Sequence, residues 1–303
     1  VSGGPGAADQ AAERQAGLLQ SVAVNLLGVV EHPVLGDSPY RIDADGVPYV
    51  PVGDGGIVLH LRLGDSAFVP AGDHAAPGAC LVHPDEAARH ALVLYSCIGN
   101  EAEVRTGAAV GARGVIVGKR GESGRVIVGF RQDDLARMRP GDQVRVRSHG
   151  QGFRPAWLPA DVAVMNIDPA LLAALPLEAA GDGADRVLHA GVRAVLPARL
   201  AGNGLGRPAA GWDLDLQLSA AGRDGAEDLL LGDLVAISDI DGRYNLGYRR
   251  DWLTIGVVCH GSSPLPGHGP GITPILTGPA RMLRARRDGA GHVGLTESML
   301  QLQ

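Results

Sequence analysis

The chain has 303 residues, 45% of them hydrophobic, enough to bury a sizeable core and too apolar for a disordered chain. Its 27 Lys and Arg against 33 Asp and Glu give a net charge of −6 without long runs of either sign. That excludes the basic footprint of a nucleic-acid binder and a polybasic membrane patch.

Residues 1–16, rich in Gly, Ala and Gln, read as a disordered tail, without the basic-then-apolar pattern of a secretory signal. No apolar stretch approaches the roughly 18 residues of a membrane span. Glycine is abundant (45 residues) and aromatics are sparse (4%), which predicts tight turns around a core of Val, Leu, Ile and Ala. Residues 17–180 read as an N-terminal β-rich lobe. VLYSC (93–97) looks like a core strand, and GVIVGKRGESGRVIVGF (114–130) carries two β-branched runs about a Gly/Ser turn, a hairpin signature. DDLARM (133–138) is a short helical turn, and RPGDQVRVRSHG (139–150) alternates Val with Arg as a half-exposed strand does. DPALLAALPLE (168–178) predicts a helix with Asp168 as N-cap and Pro169 in the first turn. LEAAGDGAD (177–185) reads as a linker or exposed loop.

Residues 181–303 read as a C-terminal β-rich lobe. VRAVLPARLAG (192–202) and the alternating WDLDLQLS (212–219) predict strands. LLLGDLVAISDIDG (229–242) matches 137–150 in form, a Gly-Asp turn launching a strand, and LTIGVVCHGSS (253–263) resembles 112–123. The expected fold is α+β and β-rich, with barrel-like or sandwich-like antiparallel sheets in two lobes and a few short helices. Long helices regularly spaced between strands, which a doubly wound fold needs, are missing.

Several motifs in order, among them AGDHAAPGACL, SCIGNEAEV, GVIVGKRG, SHGQGF, GNGLG, WDLDLQL and IGVVCHGSSPLPGHGPGITPILTG, resemble the bacterial and archaeal domain-of-unknown-function 4438 family over nearly the whole chain after the tail. The resemblance implies no activity. Arg120 stands where the family carries histidine in its Gly-Lys-His-Gly stretch. A shorter likeness to acetamidase/formamidase-type glycine motifs lies in VGDGG and GDHAAPG.

Two histidines, His260 and His268, bracket a Ser/Pro/Gly loop, where imidazoles are uncommon. His268 is a candidate general acid/base, and Gly267, Gly269 and Gly271 could offer backbone N–H groups to an anion. The bland alternative is a rigid turn. His74 with Asp73, and His260 and His268 with Asp213 or Asp215, or with Asp239 or Asp241, could together hold zinc or iron. No compact signature such as HExxH supports this, and turn or solvent-facing aspartates are the alternative. Lys119 is a candidate base, or else the start of a hairpin loop. Cys97 is a candidate nucleophile, or else a buried core thiol. Asn100 and Asn203 are candidate substrate contacts. GNGLG (202–206) lacks the Lys-Ser/Thr of a phosphate loop, and no nucleotide cofactor is expected.

The expectation is a small-molecule hydrolase or lyase acting on an anionic or amide-containing metabolite, with a divalent metal as its cofactor. The alternative is a non-catalytic metabolite-binding or scaffold protein. Neither nucleic-acid nor membrane partners are expected, while a homo-oligomer is compatible. Three scattered cysteines without a CxxC pair suit a reducing cytoplasm.

Overall fold

The computed structural model describes residues 21–68, 72–122, 124–218, 226–289 and 291–302. The tail expected at 1–16 lies outside them. The first half supplies β1 (Val24–Val30), β2 (Arg41–Ile42), β3 (Pro48–Tyr49), β4 (Ile57–Val58), β5 (Gly78–Val82), helix α1 (Glu86–Tyr95), β6 (Glu101–Val104), β7 (Arg113–Arg120), β8 (Arg125–Phe130), α2 (Gln132–Arg137) and β9 (Gln143–Ser148). The second supplies β10 (Ala163–Val164), α3 (Pro169–Ala174), β11 (Leu177–Ala180), β12 (Val187–Val192), β13 (Ala194–Leu196), β14 (Leu214–Asp215), β15 (Leu234–Asp241), β16 (Gly247–His260), β17 (Gly271–Pro279) and β18 (Leu283–Arg287). The protein is β-rich α+β. Among the described residues, no helix is long and apolar enough to cross a membrane.

Strands β1, β9, β6, β7, β8 and β5 pair in that order, each pairing antiparallel, and β5 returns to β1 through Val29–Val82 and Val30–Leu81. The sheet therefore closes on itself as a barrel, which removes its free edges. Val30, Leu81, Val104, Ile116, Val126, Val128, Phe130, Val144 and Val146 pack together as its core. In β9 the Val/Arg alternation does what its period requires: Val144 and Val146 are buried while Arg145 and Arg147 face water.

The second principal sheet runs β10-β17-β16-β15-β13, with β14 added on β17. It is not uniformly antiparallel, because β13 runs parallel to β15, as β12 does to β18 in a smaller sheet. Residues of the barrel (Val117, Ile127) and of the second sheet (Val257, Ile275) share one core cluster. The crossing is close: a Cβ on Gly118 would lie 2.2 Å from the Cβ of Cys259, so β7 and β16 approach at backbone distance. Their last residues differ in partners: Arg120 pairs with Asp54 and Glu122, and His260 with Asp213 and Asp215.

The two Gly-Asp strand starts are the same local structure. Gly141 and Gly232 have φ of 94° and 93°. Asp142 accepts from Arg139 N, and Asp233 from Leu230 N, each at 2.8 Å. A left-handed glycine turns the chain, and the aspartate closes the turn behind it.

Five expectations need correction. The helix read at 168–178 is α3 only as far as Ala174, and the strand read at 192–202 ends with β13 and turns into a short 3-10 helix at Ala198–Leu200. VLYSC is not a strand: residues 91–95 end α1, which Asp85 caps through Ala88 N at 2.8 Å, and Leu92 and Val93 sit on the barrel. The cap and the spacing of the buried pair outweigh a short apolar run that periodicity alone leaves ambiguous. Residues 177–180 are not a linker but β11, paired along its length with β12. Within 212–218 only Leu214–Asp215 is strand, extended by a Leu216–Ala201 bridge, and residue 219 lies outside the described residues. Asp85→Ala is expected to cost about 1 kcal/mol, the usual worth of an N-cap, read as a lower urea midpoint with unchanged slope.

Candidate metal centre

Four segments deliver the five side chains of the site. His74 comes from the loop between β4 and β5, His260 ends β16, His268 sits in the loop before β17, and Asp213 and Asp215 flank the start of β14. Two residues apart in an extended chain, the aspartates share one face. His74, His260, Asp213 and Asp215 are buried, and His268 keeps 16% of its side chain exposed. The histidine rings meet edge to face, His74 lying 5.2 Å from His260 and 5.0 Å from His268 between centroids.

The glycines of this region owe their identity to close approach. A Cβ on Gly271 would lie 1.9 Å from His260 Nε2, and one on Gly269 would lie 1.7 Å from Leu216 O. Only Gly267 of the three has a left-handed φ, 81°. Packing thus accounts for Gly269 and Gly271 without an anion-binding nest. The site's strain is in His74, a non-glycine residue at φ 54°.

Hydrogen-bond partners assign the ring nitrogens. His260 Nδ1 lies 2.9 Å from Gly261 O, and its Nε2 lies 2.8 Å from Asp213 Oδ2 and 3.3 Å from Asp215 Oδ1. All three oxygens can only accept. Either both ring nitrogens carry hydrogen, or the Nε2 lone pair shares a cation with the carboxylates. Burial alone would lower the pKa of His260, but the two aspartates outweigh it and raise the value to about 9. His74 Nδ1 sits 2.8 Å from Asp73 Oδ1, a contact between chain neighbours outside hydrogen-bond geometry, and the other ring nitrogen, Nε2, faces the centre. That Nε2 faces His268 Nδ1 at 3.0 Å and Asp215 Oδ2 at 3.7 Å, while His268 Nδ1 is 2.9 Å from Asp215 Oδ2.

Asp215 is the centre of this arrangement. Burial works against its charge, yet the three histidines hold its carboxyl well below the usual range. Despite these short distances, neither of its buried oxygens has a hydrogen bond of acceptable geometry. A buried carboxylate crowded by imidazole nitrogens yet left outside hydrogen-bond geometry is what a metal-binding aspartate presents. Two sets of ligand atoms, His74, His268 and Asp215, and His260, Asp213 and Asp215, each lie within 4.8 Å of one another.

Behind the ligands stands a charged support. Asp73, on His74, accepts from Arg41 at 3.1 Å and from the Tyr49 hydroxyl at 3.2 Å. Arg41 also reaches Asp54 at 3.3 Å, and Asp54 holds the buried guanidiniums of Arg120 and Arg125. Arg125 pairs in turn with Glu31 at 2.6 Å. At the mouth, Glu122 accepts from Asn203 Nδ2 at 2.7 Å and lies 4.0 Å from His268 Nδ1. The backbone of Asn203 bonds Asp215 N and Gly267 O, each at 2.8 Å, which ties the aspartate strand to the histidine loop.

Of the residues singled out from sequence, His74, His260, His268, Asp73, Asp213, Asp215 and Asn203 come together here. Others lie elsewhere. Asp239 is exposed at a bulge in β15, where it accepts from Asp251 N at 2.8 Å, and Asp241 pairs with Arg243 and Arg249. Burial pushes the Cys97 thiol up to about 11, and its nearest polar partner is Tyr95 O. Asn100 closes a turn, accepting from Cys97 N and reaching His149 O and Asp168. Lys119, next to Arg120 on β7, donates to Asn166 Oδ1 and Ala210 O at 2.8 Å and to Leu94 O at 3.3 Å, with no ligand residue among these partners. Residues missed by the sequence reading are Glu122, Asp54, Arg41, Tyr49, Arg125 and Glu31, whose spacing carries no signal. Arg120 was noted only as a departure from the family pattern.

Full burial with only neutral acceptors lowers the pKa of Lys119 to about 8. The folded chain therefore releases this proton at lower pH than the unfolded chain, and stability rises with pH between about 8 and 10.5. Relative to a Lys119→Met variant, the parent is expected to gain about 3 kcal/mol over that interval in urea unfolding. A constant difference between the two would show that the ammonium carries no burial cost.

Two family models match the chain: "Domain of unknown function (DUF4438), N-terminal" over residues 40–173, and "Domain of unknown function (DUF4438), C-terminal" over residues 175–294. No curated protein matches. A solved structure described as "Crystal structure of TM1086" is similar at 35% identity with a TM-score of 0.85, covering 90% of this chain and 95% of that one. With both models matched in order over residues 40–173 and 175–294, the chain belongs to the DUF4438 family.

Proposed function

We propose that the protein is a metal-dependent enzyme that hydrolyses, or eliminates a group from, a small anionic or amide-containing metabolite. The observation that carries this reading is Asp215: a buried carboxylate faced by three imidazoles at short range, with both oxygens outside hydrogen-bond geometry. Imidazole and carboxylate donors suit zinc or iron. A divalent ion held there would polarise a substrate carbonyl and lower the pKa of a bound water.

The chain's own groups have distinct tasks. The Gly261 carbonyl orients His260 through Nδ1, and Asp73 stands against His74 Nδ1 at 2.8 Å and limits how its ring can turn. Glu122, partly exposed and 4.0 Å from His268, stands on the solvent side of the ligands, where a substrate proton could be taken or returned. Arg41 and Arg120 offset part of the surrounding negative charge. Three buried, unpaired thiols (Cys80, Cys97, Cys259) fit a cytoplasmic setting.

The test is elemental analysis of protein purified without chelator or affinity histidines, beside a His260→Ala/His268→Ala variant, followed by a screen of small amides and carboxylates. Metal at stoichiometric levels in the parent, lost from the variant, with turnover that chelation abolishes, is the expected result. No metal in either protein would overturn the proposal. Metal with saturable ligand binding but no turnover would identify a metabolite-binding protein instead.

A further inference from the structure

We infer that the centre is built for two metal ions, bridged by Asp215. This rests on the metal-dependent reading above and goes beyond it in number and arrangement. The two oxygens of Asp215 face different ligand sets. Oδ2 looks toward His268 Nδ1 (2.9 Å) and His74 Nε2 (3.7 Å), and Oδ1 toward His260 Nε2 (3.3 Å), which Asp213 Oδ2 approaches at 2.8 Å. One ion would take His74, His268 and Oδ2; the other would take His260, Asp213 and Oδ1. Asp215 is the only residue common to the two sets.

The two aspartates differ as a terminal and a bridging ligand should. A carboxylate that binds one ion through one oxygen normally has the other hydrogen-bonded by the protein. Asp213 shows this pattern: its Oδ2 faces His260, and its Oδ1 accepts from Gly121 N at 2.9 Å. Asp215 does not. Both its oxygens are buried and neither has a hydrogen bond of acceptable geometry. A bridge uses both oxygens on metal and leaves none to be satisfied. Gly121 belongs to this design as well, because a Cβ there would lie 2.0 Å from the Trp212 ring, so only glycine lets its N–H reach Asp213.

Paired ions about 3.5–4 Å apart can clamp both the attacking and the leaving oxygen of a displacement, which suits a substrate that develops negative charge on the oxygens bound to its reacting carbon or phosphorus. Glu122, at the mouth beside His268, is placed to meet the proton released there.

The test counts ions and asks whether they interact. Metal-free full-length protein is titrated with Zn2+ for elemental analysis and with Mn2+ for EPR, and crystals of the Zn2+ form are measured for anomalous scattering. Two ions per chain, a Mn2+ spectrum with exchange coupling in place of that of an isolated ion, and two anomalous peaks about 3.5–4 Å apart are expected. His74→Ala and Asp213→Ala should each reduce the count to one and remove the coupling, while the parent spectrum needs no variant to fold. One ion per chain, uncoupled, would overturn the bridge and leave the metal-dependent reading standing. No bound ion would overturn both.

Discussion

Loading the centre with metal is expected to stabilise the protein by about 4 kcal/mol when free ion exceeds its dissociation constant a thousandfold. For a chain of this length that corresponds to roughly 10 °C in Tm. The five ligands come from four separate chain segments, so an unfolded chain offers no comparable site and binding energy becomes folding energy. Without metal, cationic His260 between Asp213 and Asp215 is what relieves the carboxylates' mutual repulsion. Metal must displace that proton, so the stabilisation should grow as pH rises toward 9, the raised pKa of His260. Calorimetry with and without chelator at several pH values reads both effects. In a His260→Ala/His268→Ala variant the metal-dependent shift should vanish. Equal Tm with and without metal in the parent would show that these side chains hold none.

Much of the barrel could be read from local pattern. The hairpin at 114–130 and the alternating strand at 143–148 follow from β-branched runs and a period of two, which one sequence displays directly. The turn at Gly141-Asp142 and its twin at Gly232-Asp233 are likewise local chemistry. Helix α1 was hidden because ALVLY, near its end, is a short apolar run consistent with either element, and its cap at Asp85 lies six residues upstream of that run. The centre was half legible. His260 and His268 stood out because imidazoles are unusual in a Pro/Gly loop, and Asp213 and Asp215 because two apart means one face. What could not be read was choice among carboxylates. Asp239 has the same strand context as Asp215, and only the pairing of β14 with β17, against a left-handed kink in β15, separates them. Asp54, Arg120 and Glu31 are far apart in sequence and meet only when the barrel closes, so no spacing rule could join them.

Asp54→Ala is expected to cost about 3–5 kcal/mol, because it leaves the guanidinium of Arg120 buried without its main partner. Arg120 is 2% exposed, and its remaining carboxylate contact, Glu122, is 3.6 Å away and partly solvated. Arg125 loses less, since Glu31 still holds it at 2.6 Å. Burial opposes the charge on Asp54, but Arg120 and Arg125 outweigh it and lower the pKa of the carboxyl, so the pair is ionised at neutral pH. The sign reverses for a matched replacement of Asp54 and Arg120 by apolar residues of similar size, which should recover much of the loss. The same substitution reaches the metal centre by a separate route. Arg41 bridges Asp54 to Asp73, and Asp73 limits how the His74 ring can turn, so releasing Arg41 should loosen a ligand without removing one. Support of this kind typically changes metal affinity by about 10–100-fold. Zn2+ affinity and urea unfolding of Asp54→Ala measured together separate the two effects. A variant that unfolds like the parent would show that Arg120 finds solvent or another partner. Unchanged affinity would show that His74 is held by its own strained backbone rather than by the carboxylate chain behind it.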